Sequence, residues 1–372
     1  RMSTQQQQRL MSLDTLRGFD MLFIMGFASI VVSVCKLFPE GADCWLAQQM
    51  LHVKWNGFAQ HDTIFPLFLF IAGISWPFSY SKQLDGGSTK KKIYLKILKR
   101  AAILVFLGVV YNGFFKLDFE NLRICSVLGR IGLAWGIGAI LYINFKPKTL
   151  AFISGGILLV YWALLALIPA PDMPGADRFS LEGNLVGYID RLITPGKLLT
   201  KDIFDPEGLL STVPAVVTAL LGMLTGTFVK QPDSKINGNR KTVYMLAGAV
   251  AMAVIAILWN QVFPVNKKLW TSSFVMAAGA YSLGLFALFY YIIDVRKWQK
   301  WTLFFRVIGL NSITIYLAQR IFKFDSISKF FLSGLASKLP EQWSTLILQC
   351  GFVAVSWLFL YFLYKKKVFL KV

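Results

Sequence analysis

The chain has 372 residues, 56% of them apolar and only 16% charged, with a mean hydropathy of +0.56. Soluble domains carry roughly a quarter charged residues, so this composition describes an integral membrane protein. A net charge of +20 would suit a nucleic-acid partner, but the apolar content excludes that class and assigns the basic residues to cytoplasmic loops.

Apolar runs long enough to cross a bilayer lie near 18–38, 64–81, 98–115, 127–145, 149–168, 209–229, 243–263, 271–293, 302–322 and 344–364. The pattern predicts an all-α polytopic membrane protein, a bundle of about ten transmembrane helices forming one domain over 1–372. Residues 1–11 read as a flexible cytoplasmic N-terminus. The N-terminus and the segments 82–100, 146–148, 230–241, 296–300 and 365–371 hold 23 of the 39 Lys and Arg residues. That bias predicts both termini inside and the long connections 39–63, 169–208 and 323–343 outside.

Polar groups within or bordering apolar spans are expensive, which makes them the first candidates for a site. At the start of the first run, Asp14 suits a helix N-cap and Arg17 obeys the positive-inside rule. Asp20, deeper in the run, calls for a cationic partner such as Arg17 or Arg130. The stretch His52-Val-Lys-Trp55-Asn56-Gly57-Phe-Ala-Gln-His61-Asp62 holds both histidines of the chain, directly before an apolar run. Imidazole exchanges a proton near neutral pH, so a catalytic role stands beside that of an interfacial histidine holding its own loop. Cys35, Cys44, Cys125 and Cys350 have no metal-ligand spacing, and no metal is expected. Cys44 and Cys125 share the outer side and could pair, although single structural thiols are the plainer reading.

Arg130 lies four residues into the fourth run, where a guanidinium must find a carboxylate, a phosphate or carbonyls. Asp205 and Glu207 stand at the entrance of the sixth run, either as acceptor-binding groups or as caps that complement the helix dipole. Asn266, Lys267 and Trp270 form an outer turn in which Trp270 could be an interfacial anchor. Asn311 sits mid-span and bridges helices or touches substrate. The chain has no Walker loop, no His-Glu-x-x-His and no Gly-x-Ser-x-Gly, which removes support for ATP hydrolysis, zinc chemistry and serine hydrolysis.

Taken together, Leu13-Asp-Thr-Leu-Arg-Gly18, His52-x-x-Trp55-Asn56-Gly57, Asp62-x-x-Phe65-Pro66, Arg123-Ile-x-x-Val-Leu-x-Arg130-Ile-Gly132, Asp205-Pro-Glu-Gly208, Phe263-Pro-Val-Asn-Lys267 and Gly309-Leu-Asn-Ser312 resemble the heparan-alpha-glucosaminide N-acetyltransferase family. The resemblance implies transfer of an acetyl group from cytosolic acetyl-CoA to the amine of a glucosamine across the membrane, with His52, not His61, as the catalytic histidine. It implies Asp62 or Asn56 as the group fixing the imidazole. Trp55, Arg130, Asp14, Arg17, Asp205, Glu207, Asn266, Lys267, Trp270 and Asn311 become donor or acceptor contacts, with Arg130 and cytoplasmic basic residues meeting the CoA phosphates. Two positions depart from the family: Ala28 stands where its lumenal enzyme has an active-site Asn, and Gln319-Arg320 replaces a His-Glu pair. Both bear on the acceptor.

The implied partners are acetyl-CoA, an amino-sugar or glycan acceptor and the lipid bilayer, with no nucleic acid and a homodimer left open. The short loops favour the cytoplasmic (inner) membrane of a bacterium. An O-acetyltransferase of a cell-surface glycan shares the donor chemistry and is the first alternative. A small-molecule transporter is the second, without the paired broken helices that inverted repeats would give.

Overall fold

The computed structural model describes residues 10–370, and among these the regular structure is helical, with two isolated β-bridges between loops. In lipid every backbone group must be satisfied within its own segment, and the apolar runs accordingly become helices. In chain order these are α1 (Met11–Cys35), α2 (Trp45–Gln49), α3 (Ile64–Asp85), α4 (Lys90–Tyr111), α5 (Val127–Asn144), α6 (Pro147–Leu167), α7 (Leu185–Ile193) and α8 (Leu209–Val229). They continue with α9 (Gly238–Asn260), α10 (Ser272–Phe289), α11 (Leu303–Leu310), α12 (Ser312–Ile321), α13 (Phe324–Ala336) and α14 (Glu341–Lys365). Helix α1 passes through a π-turn at Phe23–Phe27, where Gly26 has a φ of 115°, a backbone that side-chain-bearing residues seldom adopt.

Eight helices among the described residues are long and apolar enough to cross a membrane, and a ninth span counts if α11 and α12, bent by 57°, are one. The expected run at 98–115 is α4, displaced toward the N-terminus. Its 22 residues are long enough, but Lys96, Lys99 and Arg100 lie within it and lower its apolarity. The bend falls at Asn311. Its side-chain nitrogen and oxygen have no hydrogen-bond partner among the described residues, so the expected bridge between helices is not made. The flexible start expected over 1–11 falls mainly outside the described residues, and Met11 already opens α1.

Asp14 does not cap α1. Leu10 holds that position, and Asp14 lies buried in the first turn, 3.3 Å from Arg17. Asp20 is buried and forms no ion pair with Arg17 or Arg130 among the described residues.

Glycines set the closest crossings. A Cβ on Gly222 would meet Phe70 O at 2.1 Å, and one on Gly226 would meet Ile74 O at 2.3 Å, so α3 and α8 touch backbone to backbone through a Gly-x-x-x-Gly face. Gly18 and Gly309 do the same for α1 and α11, with Phe305 O 1.8 Å and Asp14 O 2.0 Å from the added carbon. The motifs Leu13–Gly18 and Gly309–Ser312 are therefore helix-packing devices as well as site candidates. Helices α3 and α8 run in the same direction, which brings the residues before α3 and before α8 to one end of the bundle, the His52 end. Arg17 and Leu370 line a common cavity at the opposite end, where both described chain ends lie.

Candidate active site

The segment before α3 folds around Asp62. Asp62 is buried, and its Oδ2 accepts from Val53 N at 3.1 Å, which closes the loop through Gly57, whose φ is 135°. Its Oδ1 lies 2.7 Å from His52 Nδ1 and 3.2 Å from Lys267 Nζ. A carboxylate only accepts, so Nδ1 carries the hydrogen and the neutral ring presents Nε2 as an acceptor. The His52 side chain is 57% exposed. The arrangement leaves Nε2, on a ring whose orientation a buried carboxylate fixes, able to accept a proton at the mouth of a cleft.

Lys267 adds a third charge, with Nζ 3.2 Å from His52 Nδ1. Burial lowers the Lys267 pKa from its ordinary value and the Asp62 carboxylate opposes that shift. The Lys267 ammonium shares the Asp62 carboxylate with the imidazole, 3.2 Å from Oδ1, and so helps hold the carboxylate in place beside the ring. Lys267→Met is therefore expected to lower kcat while acetyl-CoA still binds, and Lys267→Arg to retain more of the rate. Unchanged turnover in a folded Lys267→Met protein would refute this role.

The loop 263–270 that carries Lys267 is tied to the histidine loop. Asn266 is fully buried, donates to Asn56 Oδ1 at 3.0 Å and accepts from Leu269 N at 2.9 Å, while Gly57 N donates to Val265 O at 2.8 Å. Asn56 therefore joins two loops, and Asp62 is the residue that holds the imidazole. Trp55 donates from Nε1 to Phe179 O at 2.7 Å and packs edge-on against Phe204, locking the same loop to segment 169–208.

Trp270 is no interfacial anchor. It is 1% exposed, has a φ of 52°, packs edge-on against Phe65 and lies 5.1 Å beneath the Arg130 guanidinium. Arg130 hydrogen-bonds the Ser211 hydroxyl and Gly208 O, the latter at 3.2 Å, and so spans from α5 to the start of α8. Asp205 and Glu207 do not cap α8. Both bind Arg123, with Asp205 taking Nε and Nη2 at 2.7 and 2.6 Å. Burial works against the charged Arg123, but the two carboxylates more than offset it and raise its pKa. The N–H at the head of α8 goes instead to Asp190 on α7, from Leu209 N to Oδ1 at 3.1 Å, and burial pushes the Asp190 carboxyl up to about 7.

Two cavities meet at His52. One, of about 900 Å³, runs along α1 and the start of α14 and includes His52, His61, Glu207 and Lys267 in its wall; the other, of about 370 Å³, includes His52, Trp55, Arg130, Lys267 and Trp270. His61 lies with its ring 4.5 Å from that of His52. Ala28 lines the larger cavity. Asp14, Arg17 and Asn311 lie away from this cluster, and Arg17 lines a third cavity of about 480 Å³ at the opposite end, with Arg100, Trp76 and Trp135.

Sequence reasoning missed Arg123 and Asp190 as organisers. Arg123 stood inside a quoted motif, but nothing local told which carboxylates, 82 and 84 residues away, it would bind.

No family model matches the chain. It is 27% identical over 415 aligned residues to heparan-alpha-glucosaminide N-acetyltransferase of Homo sapiens and 26% identical over 424 to that of Mus musculus. Each alignment covers 98% of this chain and 60% of the relative, so the chain spans about 60% of the length of these proteins.

Proposed function

We propose that this member of the heparan-alpha-glucosaminide N-acetyltransferase family moves an acetyl group from acetyl-CoA, bound from the far end of the bundle, to the amine of a glucosamine-type sugar at the His52 end. The far end is the cytoplasmic one in this reading, because it carries the excess of Lys and Arg. The acceptor then approaches from outside, across the inner membrane of a bacterial cell.

One observation carries the reading: the His52 cleft and the far cavity are lined by one side of α3. Phe65 belongs to the cleft, and Phe68, Ala72, Ser75, Trp76 and Ser79 belong to the far cavity, at helical spacing. Val127 and Trp135 of α5, and Tyr316 and Ile313 of α12, pair up in the same way. At 1.5 Å per residue, Phe65 to Ser79 is about 21 Å, a path suited to an extended pantetheine arm. The far cavity offers two guanidiniums, Arg17 and Arg100, for phosphates. Arg130, at the His52 end, is then too distant for the phosphates of a donor whose thioester reaches His52, and we assign it to the acetyl end.

The chemistry follows from the Nε2 lone pair. The acceptor nitrogen attacks the thioester carbonyl and gives its proton to His52 Nε2. The C–S bond breaks, and the departing CoA thiolate takes that proton from the imidazolium. Asp62 keeps the ring oriented throughout, and Lys267 and Arg130, in the wall of the same cavity, supply positive charge for the oxyanion that develops. Direct transfer is favoured over an acetyl-His52 intermediate because it requires no second accessible conformation.

The test is release of the CoA thiol by the purified chain with acetyl-CoA and a panel of acceptors. Thiol release that depends on glucosamine or its disaccharides, and not on N-acetylglucosamine, is the expected result. Release with hydroxyl acceptors alone would replace the reading by O-acetylation, and none with any acceptor would overturn it.

A further inference from the structure

The loop between α1 and α2 turns back on itself. Phe38 N donates to Cys35 O at 3.0 Å, Gly41 N to Phe38 O at 3.0 Å and Cys44 N to Gly41 O at 3.4 Å. Gly41 lies so close against the end of α1 that an added Cβ would stand 1.7 Å from Cys35 O. The cysteines that bracket the loop are thereby brought into one small turn, where each thiol lies within electrostatic reach of the other. Cys125 instead feels the charges of Asp205, Asp190 and Arg123, and all four cysteines are free thiols here, the plainer of the two readings from sequence.

The two thiols differ as an attacking and a resolving thiol differ. Cys35 is 8% exposed, whereas Cys44 is partly open and its sulfur accepts from Ala47 N at 3.4 Å. That N–H favours the thiolate and lowers the Cys44 pKa below the ordinary thiol value.

We propose that Cys35 and Cys44 form a dithiol–disulfide pair that staples the end of α1 to α2 and so fixes the loop carrying His52. Its operation in the cell rests on the orientation proposed above, since disulfides persist where the His52 end faces an oxidising compartment. The Cys44 thiolate attacks one sulfur of an oxidising disulfide and expels the other as a thiolate. Cys35, deprotonated, then attacks the Cys44 sulfur and releases the second thiolate. The pair loses two electrons and two protons, and the oxidant becomes a dithiol. The mechanical consequence runs through Gln49, the last residue of α2, whose Oε1 accepts from Gln60 N at 2.9 Å. Stapling α2 therefore restrains the turn bearing His61 and Asp62 as well as the residues leading to His52.

The purified full chain, equilibrated with oxidised or reduced dithiothreitol and then alkylated under denaturing conditions, tests the pair by peptide mass. The expected result is a Cys35–Cys44 link in the oxidised sample, with Cys125 and Cys350 alkylated. The link should survive Cys125→Ser and vanish in Cys44→Ser, and amide exchange over 45–62 should be slower when it is present. Four alkylated thiols in the oxidised sample, a Cys44–Cys125 link, or equal exchange in both states would overturn the proposal. The same alkylation on intact cells separates the two readings: a link formed by purified protein but absent in cells overturns the orientation and leaves the pair standing.

Discussion

His52→Ala is expected to abolish acetyl transfer while acetyl-CoA still binds. Proton transfer by a positioned base is worth typically about 10²–10⁴-fold, or about 3–5 kcal/mol of barrier, and more if the residue also carries the acetyl group. The geometry makes the expectation specific to this ring. Its Nδ1 is committed to Asp62 at 2.7 Å and its Nε2 is the atom left to act in an exposed position. Asp62→Asn should follow with a smaller loss, because an amide can turn its N–H toward Nδ1 and select the wrong tautomer. His61 lacks such a partner, its Nδ1 being buried without a hydrogen bond among the described residues, and His61→Ala should keep most of the rate. Turnover by each variant beside its acetyl-CoA affinity decides the matter. Near-normal turnover in a folded His52→Ala protein would sink the mechanism.

Much of this was legible before any coordinates, for physical reasons that differ by element. Hydrophobic runs specify membrane helices because lipid leaves the backbone no other partner, and α3, α8 and α14 fall within a few residues of the expected spans. The His52–Asp62 contact was readable as well, since adjacent His61 and Asp62 point apart and Gly57 permits the chain to return. Helix α4 was displaced because its N-terminal half is basic, and a hydropathy window sees only the apolar half. The capping role considered for Asp205 and Glu207 fails because helix-capping rules are local, whereas Arg123 claims both carboxylates across the loop. Trp270 was misread for a related reason. Its position after a polar turn suits an interfacial anchor, and only the fold shows that Arg130 and Phe65 enclose it. The far cavity showed only as separate pieces, Arg17 and the Gly309–Ser312 motif, because it is assembled from α1, α3, α4, α5 and the break between α11 and α12.

That cavity carries the second large effect. Arg100→Ala is expected to raise the KM for acetyl-CoA about 10–100-fold, the loss of one or two hydrogen bonds from a charged group at about 1.5–3 kcal/mol, with little change in kcat at saturation. The guanidinium lies 4.2 Å over Trp135, its Nε has no hydrogen-bond partner, and no ion pair engages it among the described residues. A cation held on an aromatic face beside Arg17, in a cavity with no carboxylate among the described residues of its wall, is suited to an anion that arrives from outside the fold. The flanks of the broken helix, Leu310 and Ser312, line the same space, which places the unpartnered amide of Asn311 at its edge. A structural role and a phosphate role separate on a truncated donor. S-acetyl-pantetheine lacks the nucleotide and its phosphates, so its turnover should be the same in the parent and in Arg100→Ala if Arg100 acts on the phosphates. An equal loss with both donors would mean that the substitution disturbs the bundle. An unchanged KM for acetyl-CoA in a folded variant would mean that the donor's phosphates bind elsewhere, and the path along α3 would lose its entrance.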